Sequence, residues 1–279
     1  MFPPIHWHYN KIICGSKESK YDFEYISKFN FECWNKIINN HNFTSINIDK
    51  YIVQLCEQHV QYEQTGLINF HELHDLIEEL NKILNNNEFF LRLSYRSTKD
   101  VAEGRMPITN ANQIITAIIK SERCFDDMVA LLTYNNDNQI TNSLFPLYIH
   151  LVPWRNCDWF SELRCFIFEK KLVAISNQSD NWLFKGRELE IVYKINKFVN
   201  ELYQKHKDLY DSTVMDIELT NDFDIILIEF NPYYEKGSTG AIFFNWNEKL
   251  LVDDNPKFIT LRYCNDKSKE QKIDYKSLY

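Results

Sequence analysis

No run of apolar residues in the sequence approaches the ~18 that a membrane-spanning helix requires. The first residues also lack the basic and apolar segments of a signal peptide. Basic residues are in the minority: 31 Lys and Arg stand against 39 Asp and Glu, for a net charge of -8. This balance argues against the nucleic-acid backbone or an anionic membrane as the main partner. We therefore expect a protein that binds neither of them directly.

Paired cysteines are absent as well. The seven cysteines are odd in number, scattered, and never spaced as Cys-x-x-Cys, which is typical of reduced thiols in a cytosolic protein. The composition is 44% hydrophobic and 15% aromatic, which excludes a disordered chain, and 279 residues can bury a core as one large domain or two lobes. We expect a cytoplasmic monomer.

The most informative segment runs from Thr213 to Pro232. Two apolar runs, 213–219 and 225–230, flank the turn-forming residues 220–222, a pattern that predicts a β-hairpin. Centring the turn near residue 222 places Asp216 about opposite Glu229, and Asn231 follows on the same strand face.

Two carboxylates so close would repel each other unless a cation neutralised them. Mg²⁺ held by carboxylates and nucleotide phosphates fits these donors, so the hairpin is interpreted as a metal–nucleotide site. The alternative is that Asp216 and Glu229 are solvated residues on the outer face of an ordinary hairpin.

Two other segments offer cations for phosphates. Arg92 lies in a predicted strand, 89–95, that leads into a polar, basic stretch. Arg164 shares a strand face with Glu162 in the predicted strand 162–169, and its rigid fork suits phosphate oxygens. Cys165, on the opposite face, is expected to pack in the core. Either arginine could instead be an ordinary surface cation.

The rest of the chain alternates sheet-like and helical patterns. Helices are predicted over 48–62, from 69 to about 84, over 111–121 and 125–132 (separate or as one broken helix), and over 188–206. Strands are predicted over 144–153 and 171–176, the second as the hairpin partner of 162–169. Hairpins with interspersed helices favour an α+β fold.

Six motifs occur together in order, and Phe31 and Trp34 precede them as a Phe-x-x-Trp pair. The motifs are Phe90 to Asp100, Glu162-Leu-Arg-Cys-Phe-Ile, Lys171-Leu-Val-Ala-Ile-Ser, Asp216-Ile, Ile228-Glu-Phe-Asn-Pro232 and Phe243-Phe-Asn-Trp246. Over roughly residues 30 to 250 the chain resembles the cell division cycle protein 123 family, a divergent branch of the ATP-grasp superfamily.

The resemblance implies an ATP-grasp fold, in which two lobes with antiparallel sheets flank a nucleotide cleft. It implies that Arg92 and Arg164 contact phosphates and that Leu151 to Trp154 offer backbone groups to adenine. The remaining family positions, Asp216, Glu229 and Asn231, would hold Mg²⁺ and, with it, ATP. The implied domains are an appendage (1–29), two lobes (30–145 and 146–250) and a tail (251–279).

The implied function is assembly of eukaryotic translation initiation factor 2 through its gamma subunit, as a chaperone that binds Mg-ATP. The alternative is an ATP-dependent carboxylate-amine ligase that modifies a protein or peptide. The segment 175–179 lacks an Arg that the family carries, which favours binding, whereas Glu229 replaces the usual Asp and favours catalysis. The sequence leaves open whether ATP is hydrolysed.

Overall fold

The computed structural model describes residues 23–38, 42–84, 87–137, 145–156, 161–179, 181–233, 240, 242–252, 258–264 and 270–276. Two compact units divide the chain. Unit 1 comprises Met1–Asn30 and His41–Arg155, and unit 2 comprises Phe31–Asn40 and Asn156–Tyr279. The units part after Arg155, whereas the lobe boundary predicted from the sequence follows residue 145; the predicted domains stay predictions. Residues 1–22 of the predicted appendage lie outside the described residues.

The described α-helices are α1 (Phe23–Ile26), α2 (Phe31–Ile38), α3 (Ile52–Thr65), α4 (His74–Ile83), α5 (Ala111–Lys120), α6 (Glu122–Asp137) and α7 (Glu188–Lys205). The 3-10 helices are Ser27–Phe29, Asp49–Tyr51, Phe70–Leu73, Glu103–Arg105 and Lys249–Val252. The strands are β1 (Thr44–Asn47), β2 (Phe89–Leu93), β3 (Tyr148–Pro153), β4 (Glu162–Phe168), β5 (Lys171–Asn177), β6 (Thr213–Leu219), β7 (Ile225–Pro232), β8 (Phe258–Cys264) and β9 (Glu270–Lys276). Within the described ranges, no helix is long and apolar enough to cross a membrane.

Unit 1 combines a three-stranded antiparallel sheet, in the order β1-β3-β2, with helices α3 to α6. Their apolar faces form one core cluster that includes Leu76, Leu80 and Ile118. At the start of α5, Asn110 and Gln113 form a capping box. The backbone at Ser121 is extended, which ends α5 before α6 begins. The two helical patterns predicted here are therefore separate helices.

Unit 2 contains a six-stranded sheet in the order β7-β6-β4-β5-β8-β9. Only β5 and β8 pair in parallel among the strands described; the other neighbours are antiparallel. Both predicted hairpins, β4–β5 and β6–β7, are confirmed. The class is α+β, as the sequence predicted.

Helix α2 packs at the β7 edge of this sheet. Trp34 is completely buried, and its ring meets Phe230 edge-to-face at 5.7 Å and Phe31 at 5.1 Å. The Phe-x-x-Trp pair is thus a packing element: one turn of helix puts both aromatic rings on one face. On α7, the sequence predicts an apolar stripe of which Val192, Ile195, Val199 and Leu202 are buried, whereas Leu189, in the first turn, is 65% exposed.

The segment 251–279, interpreted from the sequence as a weakly patterned tail, contributes β8 and β9 to the sheet. Strand β8 is buried along most of its length. Its residues from Ile259 to Arg262 alternate between apolar and polar, a strand pattern that was not recognised from the sequence. Its polar residues Thr260 and Arg262 are buried as well.

Candidate functional site: a charged row across the sheet of unit 2

A β-bulge in the β6–β7 hairpin directs Glu229 towards Asp216. Near the turn, Ile217 pairs with Leu227, but the next residue, Asp216, pairs with Glu229, so Ile228 is the extra residue. Opposed residues of an antiparallel pair project to the same face of the sheet. Without the bulge, Glu229 would lie on the face of Leu227; with it, the two carboxylates share one face.

These carboxylates belong to a row that crosses five strands. Asp216 pairs with Arg164 of β4, Arg164 with Ser176 of β5, and Ser176 with Arg262 of β8. In the order of the strands, the row consists of two acids, then a base, a serine and a second base: Glu229 on β7, Asp216, Arg164, Ser176 and Arg262. The basic end is engaged within unit 2, because the Arg262 guanidinium donates to the carboxylate of Glu248.

The centre of the row is a buried ion pair. The Arg164 Nε donates to Asp216 Oδ1 at 2.8 Å and its Nη2 donates to Oδ2 at 2.7 Å. Asp216 is 1% exposed and the Arg164 side chain 12%. The third guanidinium nitrogen, Nη1, donates to the carbonyl of Gly240 at 2.6 Å. This bidentate geometry fixes both side chains.

Asn231 completes the cluster on the Glu229 side. Its Nδ2 donates to Asp216 Oδ2 at 3.1 Å and lies 3.5 Å from Glu229 Oε1. The predicted metal residues therefore do lie together. The prediction that Asp216 is solvated, the alternative interpretation, is wrong, because the residue is buried.

The electrostatics favour a permanently charged guanidinium. Burial by itself lowers the pKa of Arg164, but the attraction and hydrogen bonds of Asp216, with the charges of Glu229 and Glu162, outweigh it and raise the pKa. Burial, reinforced by the Asp216 charge, raises the pKa of the Cys165 thiol well above its usual value. The prediction that Cys165 packs in the core is confirmed, since it is fully buried.

A second acidic row adjoins the first, and of its two members only Glu162 was noted from the sequence. Glu162 on β4 pairs with Glu218 on β6, and their exposed fractions are 7% and 6%. Gln178 Nε2 donates to Glu162 Oε1 at 3.2 Å. The signal was available, because each glutamate lies two residues from Arg164 or Asp216 and so shares its strand face.

The other predicted contacts lie in unit 1. Arg92 is buried on β2 opposite His150. The Leu151 side chain is in the core of unit 1, which leaves only its backbone for a ligand. The backbone N–H of Trp154 donates to the carbonyl of Glu88 at 2.8 Å, so this donor is already engaged. Nucleotide contacts by Arg92, Leu151 and Trp154 stay predictions.

Comparison with known proteins gives the cluster a family context. The model of the D123 family matches residues 36–278. The chain belongs to the D123 family. The resemblance to the cell division cycle protein 123 family is thereby confirmed. A relative from Dictyostelium discoideum, named translation initiation factor eIF2 assembly protein, is 29% identical over 190 residues, which cover 65% of this chain and 47% of that protein.

A second D123 relative of the same name, from Schizosaccharomyces pombe, is 24% identical over 169 residues, covering 56% of this chain and 50% of the relative. The solved structure of Cdc123 from Schizosaccharomyces pombe superposes with a TM-score of 0.67 at 19% identity, covering 89% of this chain and 99% of that one. This chain therefore shares the fold of that structure. It spans about half the length of the curated relatives it matches.

Proposed function

We propose that this D123 protein binds ATP with Mg²⁺ at the Arg164 cluster, which consists of Arg164, Asp216, Glu229 and Asn231. We also propose that it acts in the assembly of eukaryotic translation initiation factor 2 in the cytoplasm, through the gamma subunit. The observation that carries the proposal is the convergence of Asp216, Glu229 and Asn231 on one face beside Arg164. The names of the D123 relatives support the assembly role.

The donor set fits the metal. Asp216 and Glu229 supply hard carboxylate oxygens and Asn231 an amide oxygen, once its side-chain amide is turned, and these are the ligands that Mg²⁺ takes in proteins. The two carboxylates and one guanidinium leave a formal charge of about −1 (by the charge assignments of ionised side chains). A triphosphate would be repelled by that charge, so a bound cation is needed. When bound, Mg²⁺ would neutralise phosphate charge.

The residues of the cluster have different roles in this binding. Asp216, Glu229 and Asn231 would hold the metal, while Arg164 would contact a phosphate oxygen through its fork. In the structure, Arg164 is the counter-ion of Asp216. A metal ion that binds Asp216 would neutralise its carboxylate in place of Arg164. The guanidinium N–H groups would then be free to donate to phosphate oxygens. The ion pair thus keeps a buried carboxylate neutralised in the absence of metal.

Nucleotide binding is tested by calorimetry with ATP in the presence of Mg²⁺ or of excess EDTA. We expect binding only with Mg²⁺, and a loss of about tenfold or more in Glu229→Gln, which removes a charged donor but keeps the side-chain size. Glu201→Gln, on the solvated face of α7 with a side chain 63% exposed, is the matched control and should bind normally. Equal ATP binding in EDTA would contradict the metal site.

The assembly role is tested with the immobilised protein and purified gamma subunit. We expect the gamma subunit to be captured and recovered with unchanged mass. A gamma subunit that is not retained would contradict the partner assignment. A covalent mass increase that depends on ATP would contradict the chaperone function and indicate the ligase.

A further inference from the structure

Three potential metal ligands meet in unit 1, whereas the residues of the proposed function belong to unit 2. His59 and Glu63 lie one turn apart on α3, so their side chains share a face of the helix. Glu122 is the first residue of α6. One ligand atom from each of the three residues lies within 4.8 Å of the other two.

The ring of His59 is fixed as that of a metal-binding histidine would be. The residue is 3% exposed, and its Nδ1 lies 2.6 Å from the carbonyl oxygen of Ile119. A carbonyl can only accept, so Nδ1 donates its proton to it, which leaves Nε2 as the ring nitrogen that can bind a metal. The ring also stacks on Phe125, with centroids 3.9 Å apart and planes at 14°. Histidines that bind metals typically donate their second ring N–H to such a carbonyl.

We propose that His59, Glu63 and Glu122 form a binding site for a divalent transition-metal ion, with Zn²⁺ as the best match. Imidazole nitrogen and carboxylate oxygen are both zinc ligands, and open zinc sites combine three protein ligands with a water molecule. Bonds of about 2 Å in a tetrahedron put ligand atoms roughly 3.3 Å apart. Both glutamates are exposed and can close the remaining gap by side-chain rotation, whereas His59 stays fixed.

A second His–Glu pair with the same spacing provides a comparison. On α4, His74 and Glu78 are also one turn apart, with Nε2 and Oε1 3.5 Å apart. The His74 side chain is 63% exposed and its Nδ1 faces the carboxylate of Asp75 at 3.6 Å. This pair has the sequence spacing but not the buried, backbone-oriented imidazole, so it is a matched control.

The test is a titration of the full chain, freed of metal with a chelator, with Zn²⁺ in the presence of a competing indicator. We expect one ion bound at the site, with an affinity at least about 100-fold weaker in the double variant Glu63→Gln, Glu122→Gln, because a hard carboxylate donor is lost from each residue. Glu78→Gln should leave the affinity unchanged. Both glutamates of the double variant are exposed, so the fold is retained.

Stability gives a second readout. Zn²⁺ should raise the melting temperature of the wild-type chain and of Glu78→Gln, since a ligand that binds only the folded state stabilises it, and should not raise that of the double variant. Wild-type affinity in the double variant would overturn the proposal. An equal loss of affinity in Glu78→Gln would overturn it as well.

Discussion

At the scale of single residues, Asp216 depends on Arg164 for its burial. A carboxylate that is 1% exposed is strongly destabilising unless it is paired and hydrogen-bonded. Both of its oxygens accept from the guanidinium, and Asn231 adds a third contact. The pair is therefore a structural requirement of the hairpin whether or not a nucleotide binds.

Arg164→Ala should lower the free energy of unfolding by about 3 kcal/mol or more, because it leaves an uncompensated buried charge. Urea denaturation measures the loss. Lys197→Ala is the control, since its ion pair with Glu201 is solvated, with both side chains 63% exposed, and the change should stay within about 0.5 kcal/mol. An Arg164→Ala loss as small as that of the control would show that the ion pair is not required.

The residues of the cluster were predicted from the sequence, but their connections were not. Asp216 and Glu229 are near each other because both flank one short turn, which a local pattern reveals, but the bulge puts them on the same face. The pairing of Arg164 with Asp216 depends on how β4 and β6 align, over 52 residues of separation, and no local pattern fixes that register. The bulge at Ile228 is also unpredictable, because it lies in a continuous apolar run.

At the scale of elements, the start of α7 is tied to the sheet through one carboxylate. Glu188 Oε1 accepts from the backbone N–H of Gly186 at 3.0 Å, from Trp182 Nε1 at 3.2 Å and from the Tyr263 hydroxyl of β8 at 3.2 Å. Gly186 has φ +84, a left-handed conformation that glycine adopts without strain. A negative charge at a helix N-terminus is also favourable.

Burial tends to raise the pKa of Glu188, but these hydrogen bonds outweigh it and lower the pKa. A lowered pKa in the folded state means that the stabilisation is present above the ordinary carboxyl pKa and is lost as the pH falls through the lower, folded value. Glu188→Gln should therefore be less stable than the wild type at pH 7, with the difference shrinking below about pH 4.

Thermal unfolding measured from pH 7 to pH 3 checks this dependence, with Glu201→Gln as a control for a solvated carboxylate on the same helix. A difference between wild type and Glu188→Gln that is the same at every pH would contradict the assignment of the stabilising charge to Glu188.

Helices with a long apolar stripe were predicted well, whereas the partners of distant strands were not. Helix α7 ends one residue before its predicted limit at residue 206, because its apolar stripe is a property of adjacent turns. Strand β8 alternates apolar and polar residues, but it pairs in parallel with β5, far earlier in the chain, and no local pattern reveals that partner.

At the scale of the whole molecule, β8 and β9 complete the sheet of unit 2. A chain shortened to end at Val252 would expose the edge of β5, remove Arg262 from Glu248, and remove Tyr263 from its stack on Trp182 at 4.5 Å. Exposed strand edges pair with other chains. We expect this shortened chain to aggregate, whereas a chain ending at Lys276 retains both strands and stays monodisperse.

Size-exclusion chromatography distinguishes an aggregated chain from a monodisperse one, and hydrogen exchange shows which elements lose protection. Loss of protection should concentrate in the strands of unit 2 and spare the core helices of unit 1. A monodisperse chain ending at Val252, with normal protection in β5, would contradict the role given to the last two strands.

The position of α2 in unit 2 has a consequence for synthesis on the ribosome. Residues 41–155 of unit 1 are translated between α2 and the rest of unit 2, so Trp34 emerges long before its partner Phe230 exists. At ~5–20 residues per second, the delay is on the order of ten seconds or more. During that interval the aromatic face of α2 has no strand to cover it. Changes at Trp34 should therefore alter the yield of folded nascent chains as well as the stability of the finished protein.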